Sequence, residues 1–381
     1  MKISLGRRLG LKKRHIALII TMVSLLIIFV LLNAVSNNLT SAQTSQQAAK
    51  RWQSADSDIR FTQISAFLAS EASFNKMSVF ALRDAIDSAL REATIESVSG
   101  SSLWYDAYST EGRIEVKNGK STATVNVTAV GGYFFRLHEL KYISGFSFSP
   151  DDLMQDRVVI DAETAWQLYG SSEVAGQYLF ISDRQFVVAG VFEKETGDLF
   201  SKAYGERPRI FMSYDAYSEI YPSAVISCWE AVIPNPITGW AEATVEKSIS
   251  ASESDVEIID NGGRYSFLPL LDTLSKIAVR SMKVSRIIYP FWENVAGVIE
   301  DYASLLLLGI LISGGIPLIC AIVFVVIYII KHPLTKEQLA NKWYDAKVSL
   351  SKKAKPKKNN GDEYPAKHKK TRKAIRKPKK E

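Results

Sequence analysis

The sequence predicts an α+β domain that lies between two transmembrane helices. Three observations lead to this prediction: two long runs without charged residues, a basic segment outside each run, and strand and helix patterns between them. The first run covers residues 16–35 and the second covers residues 303–330. Because an α-helix rises about 1.5 Å per residue, each run can cross the apolar core of a bilayer, which is about 30 Å thick.

The first run has a second interpretation, because a basic segment followed by an apolar stretch is also typical of a cleaved signal peptide. The run is long for a signal peptide, and no clear motif of small residues for cleavage follows it. A retained transmembrane helix is therefore the preferred interpretation, and the signal peptide is the alternative.

The charges are divided unevenly along the chain. Residues 1–15 carry a net charge of +6 and residues 331–381 carry +13, which leaves −12 on the middle because the whole chain carries +7. Lys and Arg flanking transmembrane helices favour the cytoplasmic side. We therefore expect both ends to be cytoplasmic, and residues 36–301 to form an extracytoplasmic domain.

The C-terminal tail, residues 331–381, is dominated by Lys and has no apolar periodicity. This composition predicts a disordered segment, and basic residues next to a membrane favour contact with anionic lipid. Nucleic acid is a weaker alternative, because no aromatic residues are interleaved with the basic ones and no nucleic-acid-binding fold is indicated.

Cysteine usage indicates that the external domain is held together by its apolar core. Cys228 lies in the external part and Cys320 lies within the second apolar run, so the two are not expected to form a disulfide. About 265 residues suffice for one or two domains with apolar cores of their own.

The first part of the middle segment shows helical and then strand patterns. Residues 36–60 are polar and predict a stalk or a continuation of the first helix. Apolar residues recur at helical spacing over residues 61–93, which predicts one or two helices. An Asn-Gly pair at 118–119 predicts a β-hairpin with a type I′ turn. The second arm of this hairpin is expected to turn one set of side chains to the core: Ala123, Val125, Val127 and Ala129.

Residues 158–195 predict a strand, a short helix and a hairpin that folds back. Asp161 is the expected N-cap of the helix, and Gly170 is the expected left-handed residue at its end. The expected packed stripe of this helix consists of Ala162, Ala165, Trp166 and Tyr169. A comparable unit at residues 226–260 completes an expected pair of small α/β modules.

Beyond residue 263 the pattern is helical again as far as the second apolar run, with an interruption expected at Pro290. A Gly pair and Pro317 within that run predict a kink or a close helix contact. The run of 28 residues is too short for two transmembrane helices.

Three stretches carry a resemblance to a known family. They are the basic segment that leads into the first run, a Tyr-Phe segment at 133–134 that is followed by a Gly and a Phe, and the unit at 157–193. In this order they resemble the MacB-like periplasmic core domain of ABC transporter permeases of the MacB and FtsX class. The residues that match this family signature, all in structural roles, are Tyr133, Phe134, Gly145, Leu168, Tyr169, Gly170, Gly176, Gly190 and Val191.

The resemblance implies an external domain that transmits force and has no catalytic residues. In the family, a cytoplasmic ATPase moves the membrane helices, and the external domain couples that movement to substrates or partner proteins. The family permeases have four spans, whereas this sequence shows two, so we expect a reduced permease-like subunit or an accessory protein. Such a form is expected to work as a homo- or hetero-oligomer, with an ABC ATPase, a second permease chain, or both.

No catalytic, cofactor or metal site is predicted. The sequence contains no phosphate-binding loop of the Walker type and no nucleophile motif. The acidic pair at 300–301 is expected at the membrane border rather than in acid–base chemistry. A non-transporting membrane sensor or scaffold, which binds an external ligand or protein, is the functional alternative. The four histidines lack partners at the spacing of metal ligands; they are His15, His138, His332 and His368.

Overall fold

The computed structural model describes residues 13–53, 59–96, 102–195, 197, 200, 203, 205, 207–280 and 286–331. The basic N-terminal segment up to residue 12 and the tail after residue 331 lie outside the described residues, and so does the expected disorder of that tail. The chain divides into one unit that ends at Pro317 and a second that begins at Leu318.

The described residues include nine α-helices. They are α1 (Lys13–Ser41), α2 (Ala48–Trp52), α3 (Lys76–Glu92), α4 (Phe134–Leu137), α5 (Ala162–Tyr169), α6 (Tyr214–Ile220), α7 (Trp240–Ser248), α8 (Phe267–Arg280) and α9 (Phe291–Lys331). Single 3₁₀ turns cover Thr44–Gln46 and Ser70–Ala72.

The strands of the described residues form one ten-stranded sheet. They are β1 (Phe61–Leu68), β2 (Tyr105–Asn118), β3 (Ser121–Gly132), β4 (Lys141–Gly145), β5 (Arg157–Asp161), β6 (Tyr178–Ile181), β7 (Arg184–Glu193), β8 (Arg209–Ser213), β9 (Cys228–Pro234) and β10 (Val256–Asp260).

The order of the strands is β10-β1-β9-β2-β3-β8-β5-β7-β4, and β6 pairs with both β2 and β7. Only the pairs β3–β8 and β5–β7 are parallel among the described strands. The prediction of an α+β domain with an apolar helix at each end is confirmed. The two predicted modules are halves of this one sheet, and the long hairpin β2–β3 joins them.

Each face of the sheet is covered by helices. One face packs against α3, α5, α6 and α7 around side chains such as Ile86 and Trp229. The other face packs against α2, α4 and the first residues of α9, around Phe134, Phe211 and Trp292. Both segments that lead to the apolar helices therefore lie on the same face of the sheet.

The prediction of helices over residues 61–93 is wrong for its first part, because Phe61–Leu68 is strand β1. This strand lies between β10 and β9 and is buried on both faces, so its apolar residues do not alternate as they do in a half-exposed strand. The helix begins only at Lys76, where the side chain of Asn75 accepts hydrogen bonds from the amides of Met77 and Ser78.

The hairpin was predicted correctly, but its turn is of another type. Asn118 pairs with Ser121, so the two turn residues are Gly119 and Lys120. Only Gly119 has a positive φ, at 58°, which is the pattern of a type II′ turn with Gly at the first position. The predicted inward row of the second arm, from Ala123 to Ala129, is buried as expected.

The unit at 158–195 also agrees with the sequence in all but one detail. Asp161 caps α5 through a hydrogen bond of 2.7 Å from the amide of Thr164, and Gly170 ends the helix with φ at 70°. Trp166 was expected in the packed stripe and is instead 60% exposed, because α5 turns Thr164, Ala165 and Leu168 to the sheet.

The helices α1 and α9 are long and apolar enough to cross a membrane. They approach each other closely: a Cβ added at Gly314 would lie 2.7 Å from a ring carbon of Phe29, and one added at Gly309 would lie 2.9 Å from Leu32. The predicted close helix contact in the second run is therefore present.

Candidate functional site

A continuous series of buried polar side chains begins inside the sheet. Glu230 lies on the interior strand β9, and its side chain points to the face that receives α9. A buried carboxylate is costly unless hydrogen bonds satisfy it. Here Ser65 of β1 donates to one carboxylate oxygen at 2.7 Å, and the Nε2 atom of His138 lies 2.6 Å from the other.

The series continues through the loop after β10. Asn261 follows that strand and donates from its side-chain amide to the hydroxyl of Ser65 at 2.8 Å. Its amide oxygen accepts a hydrogen bond of 3.3 Å from the guanidinium of Arg264. A path of hydrogen bonds therefore joins Glu230 in the sheet to Arg264 at the sheet's end.

Arg264 is the centre of a buried ionic cluster. Its two terminal nitrogens contact the two carboxylate oxygens of Glu293 at 2.8 and 2.6 Å, which is the bidentate geometry of strong pairs. It also donates to Glu300 at 3.1 and 3.2 Å. Glu300 accepts further hydrogen bonds from Thr273 at 2.7 Å and from Arg280 at 3.2 and 3.3 Å.

Electrostatics fix the protonation state of the central cation. Burial by itself lowers the pKa of Arg264, but the carboxylates of Glu293 and Glu300 raise it by more, so this pKa lies above its usual value. The guanidinium is charged at every physiological pH. The cluster therefore remains a charged junction between the loop after β10 and the first three turns of α9.

The segment that follows α1 is held at the same face. The side chain of Gln63 on β1 accepts from the amide of Ala48 at 3.0 Å and donates to the carbonyl of Ser45 at 2.6 Å. Gln46 donates to the carbonyl of Trp292 at 3.3 Å. The segment after α1 therefore contacts both the sheet and the beginning of α9.

Arg51 of α2 adds a second attachment for this segment. It donates to the carbonyls of Thr44, Arg136 and Leu137, the last at 2.8 Å, and it forms an ion pair with Glu139 at 3.2 Å. Since Arg136 and Leu137 belong to α4, this residue fastens α2 to the short helix that carries His138 on its end.

A cavity of about 180 Å³ lies between the two membrane-linked segments. Ser45 on one side and Phe291 on the other contribute to its wall, together with Phe134, His138, Lys141 and Glu195. Lys141 forms an ion pair with Glu193. Desolvation raises the pKa of Glu195, and the nearby His138 opposes this effect.

The ring of His138 also contacts α9 directly, with its centroid 4.5 Å from that of Trp292. Its Nδ1 atom is buried, and no hydrogen-bond partner lies among the described residues. No group of three side chains suited to a metal ion occurs in the part of the chain that the structure describes. Hydrogen bonds, ion pairs and the ring contact of His138 therefore join the sheet to both segments that lead to the apolar helices.

Two of the predicted signature residues face each other at the edge of the sheet. Gly145 of β4 pairs with Gly190 of β7. A Cβ at Gly145, whose φ is 67°, would collide with the carbonyl of Ala189, and one at Gly190 would lie 2.6 Å from the carbonyl of Phe146. Both positions therefore require glycine for a close backbone approach.

The other signature residues are distributed over the two cores and do not meet at one site. Phe134, Leu168 and Val191 are buried, while Tyr133 is partly exposed. Tyr169 donates to the carbonyl of Tyr178 at 2.9 Å. Gly170 and Gly176 have positive φ values of 70° and 86°. That these residues form a family signature stays a prediction.

Sequence reasoning missed the ionic cluster. Glu300 was placed only at the membrane border, and Arg264 and Glu293 were not singled out. A signal was present, because Glu293 and Glu300 are seven residues apart and fall on one face of a helix that leads into an apolar run. Carboxylates in such a position are expected to pair with a buried cation. The sequence does not indicate which one, because the whole of α8 separates Arg264 from the start of α9.

Comparison with known proteins gives one sequence match. The sequence model described as the MacB-like periplasmic core domain matches residues 16–255, which is more than half of the chain. A search of the curated proteins found no match.

Solved structures to which this chain shows a distant likeness include two transporter domains. The extracellular domain of the noncanonic ABC-type transporter YknZ from Gram-positive bacteria is 12% identical, with a TM-score of 0.37 over 52% of this chain and 99% of that one. The periplasmic region of MacB from Actinobacillus actinomycetemcomitans is 15% identical, with a TM-score of 0.37 over 57% of this chain and 92% of that one. At these values neither structure transfers a residue role to this chain.

Proposed function

Because the chain belongs to the family of the MacB-like periplasmic core domain, we propose that it is a membrane-anchored, permease-like subunit or accessory protein of an ABC transport system. In this proposal its external domain couples movement of the membrane helices to a substrate or to partner proteins. The external domain itself has no catalytic role.

The observation that supports coupling is the buried cluster of Arg264, Glu293 and Glu300. Breaking one partner out of a buried ion pair leaves an uncompensated charge, which costs about 3–5 kcal/mol. A displacement of α9 along its axis therefore moves the loop after β10 with it, rather than breaking the cluster. Through Asn261 and Ser65 the same displacement reaches β1 and β9.

The segment after α1 provides a second route in this proposal. Gln46 contacts the carbonyl of Trp292, and Gln63 ties the chain around Ala48 to β1. We infer that force passes through residues 36–61 and 267–302, the two segments between the sheet and the membrane. The cavity between Ser45 and Phe291 leaves space for the two segments to move relative to each other.

The topology and the partners belong to the same proposal. We place both basic ends in the cytoplasm and residues 36–301 outside, since Lys and Arg favour the cytoplasmic side. The Lys-rich tail then meets the anionic leaflet. The partners are a separate cytoplasmic ABC ATPase, a second permease chain or both, and the complex is a homo- or hetero-oligomer.

The test is a purification of the tagged chain from its own host in mild detergent, with mass spectrometry of the co-purified proteins and an assay of ATP hydrolysis. We expect a nucleotide-binding ATPase whose association is lost when residues 1–35 are deleted.

A second experiment tests the coupling itself. The emission of a fluorophore attached at Met77→Cys is expected to change when ATP is added to the complex. Arg264→Met is expected to abolish this response while the ATPase stays bound, and the exposed control Arg286→Met is expected to preserve it.

The second candidate is a membrane sensor or scaffold. It is favoured by the cavity beside His138, which places an external cleft next to both membrane-linked segments. Recovery of envelope proteins without any ATPase, in repeated purifications, would exclude the transporter subunit and leave this candidate. An ATP response that survives Arg264→Met would exclude the ionic cluster as the route of coupling.

A further inference from the structure

One side of α8 is apolar and exposed. Phe267, Leu268 and Val279 expose between 52% and 72% of their surface, and Leu271 exposes 40%. At 3.6 residues per turn these four side chains fall in one sector of the helix. A contiguous exposed apolar patch of this kind marks a surface that meets a partner or a membrane.

The other two sides of α8 are not apolar and exposed: one is buried against α9 and the other is charged. Leu270 and Thr273 are buried, and they face α9. Between that side and the apolar sector lies a charged strip, in which Asp272 and Lys276 form an exposed ion pair of 2.8 Å. The helix therefore has one side against protein, one charged side, and one side that exposes large apolar side chains.

The position of α8 relative to the second apolar run is fixed by its contacts with α9. Leu270 packs with Ala303 and Leu307, which belong to the first turns of that run. Thr273 and Arg280 bind Glu300, immediately before the run begins. From Ala303 to Leu307 a helix rises about 6 Å, so the first half of α8 lies level with the outermost part of the run.

We propose that α8 is an interfacial helix, whose apolar sector enters the leaflet of the bilayer next to the external domain. Amphipathic helices of this kind lie in the interface, with the apolar side buried about 5–10 Å into the boundary between headgroups and acyl chains. Leu270 packs beside Ala303 and Leu307 at the outer end of the apolar run, and this position matches that depth. The partner of this surface is therefore lipid, and the charged strip of α8 faces the headgroups and water.

This inference depends on α9 crossing a membrane, but it does not depend on an ABC ATPase. The experiment uses the full chain in vesicles of phosphatidylcholine and phosphatidylglycerol, with Cys320 replaced by Ser. An environment-sensitive fluorophore is attached at Leu268→Cys, at Leu271→Cys, or at the control Met77→Cys. Met77 is 73% exposed on α3, which packs on the sheet face opposite to α9.

We expect the α8 probes to emit at shorter wavelength than the Met77 probe, to lose fluorescence when the vesicles contain lipids with a doxyl quencher, and to be shielded from iodide. The Met77 probe is expected to show the opposite pattern. Strong iodide quenching of the α8 probes without doxyl quenching would overturn the proposal, because the face would lie in water. Shielding from both quenchers would also overturn it, because protein would then cover the face.

Discussion

At the scale of single residues, burial decides what each charged side chain does. Arg264 is 6% exposed and has two carboxylates, so removing its charge leaves both of them unpaired in an apolar environment. Arg286 is largely exposed, and its ion pair with Asp255 has a long separation of 4.0 Å. The same residue type is therefore structural at one position and nearly dispensable at the other.

We expect Arg264→Met to lower the free energy of unfolding by about 3–5 kcal/mol, the cost of breaking a buried ion pair by removing one partner. The measurement is denaturant unfolding of the full chain in detergent, followed by tryptophan fluorescence. Arg286→Met is the matched control and is expected to change nothing measurable, because a surface ion pair contributes little. Equal effects of the two substitutions would contradict the assignment of Arg264 as a buried junction.

The thiol of Cys228 gives a second prediction at this scale. Burial raises the pKa of Cys228 well above its usual value, and its side chain is enclosed in the core that α9 covers. Because the thiolate is the reactive form, a maleimide at pH 7.5 is expected to leave this residue unmodified in the folded chain. In a Cys320→Ala background, labelling is expected only after denaturation; rapid labelling of the folded chain would show that the sheet opens near Cys228.

At the scale of elements, the sequence predicts those whose pattern is local. The N-cap at Asp161 and the left-handed Gly170 depend on a few neighbouring residues, and they lie where expected. The hairpin β2–β3 is also present, but its turn is displaced by one residue, to Gly119 and Lys120. Strand β1 was mistaken for a helix because both of its faces are buried, one under α7 and the other under α2. Its place inside the sheet depends on β9 and β10, which come more than 160 residues later. Burial on two faces removes the alternation by which a strand is recognised.

The two N-caps give a prediction about the stability of individual helices. Asn75→Ala removes an exposed cap of α3 and is expected to cost about 0.5–2 kcal/mol, as cap removal does in general. Asp161→Ala is expected to cost more. This carboxylate is fully buried, and besides capping α5 it accepts from the amide of Arg209 at 2.7 Å and pairs with Lys194 at 3.0 Å.

The comparison is made by denaturant unfolding of both variants beside the parent chain. A buried donor without a partner costs about 1–3 kcal/mol, so the difference between the two variants should be of that order. If Asp161→Ala cost no more than Asn75→Ala, the contacts to Arg209 and Lys194 would contribute nothing to stability.

At the scale of the whole molecule, the arrangement depends on contacts that sequence patterns do not contain. Ser65 and Asn261 are 196 residues apart and meet because β10 returns to the edge of β1. The composition of the apolar runs predicts the two membrane helices, and the family resemblance predicts the domain between them. The convergence of both connecting segments on one sheet face follows only from the strand order. The cluster around Arg264 forms only because of that convergence.

The contact between α1 and α9 is the last of these long-range features, and it offers a test with an internal control. Gly314→Leu places a large side chain against Phe29, where even a Cβ would lie 2.7 Å from the ring. Overpacking of this kind costs about 1–3 kcal/mol, so we expect a lower melting temperature of the full chain in detergent.

At the next residue, Gly315, no described atom lies within 4 Å of an added Cβ, so Gly315→Leu is expected to leave the melting temperature unchanged. Both variants replace Gly by Leu in the same helix, so their difference isolates the contact with α1 from helix propensity. Adding Phe29→Ala to Gly314→Leu should recover part of the loss, because the smaller side chain makes room for the new one. Equal melting temperatures for the two glycine variants would mean that α1 does not pack against α9 at this point.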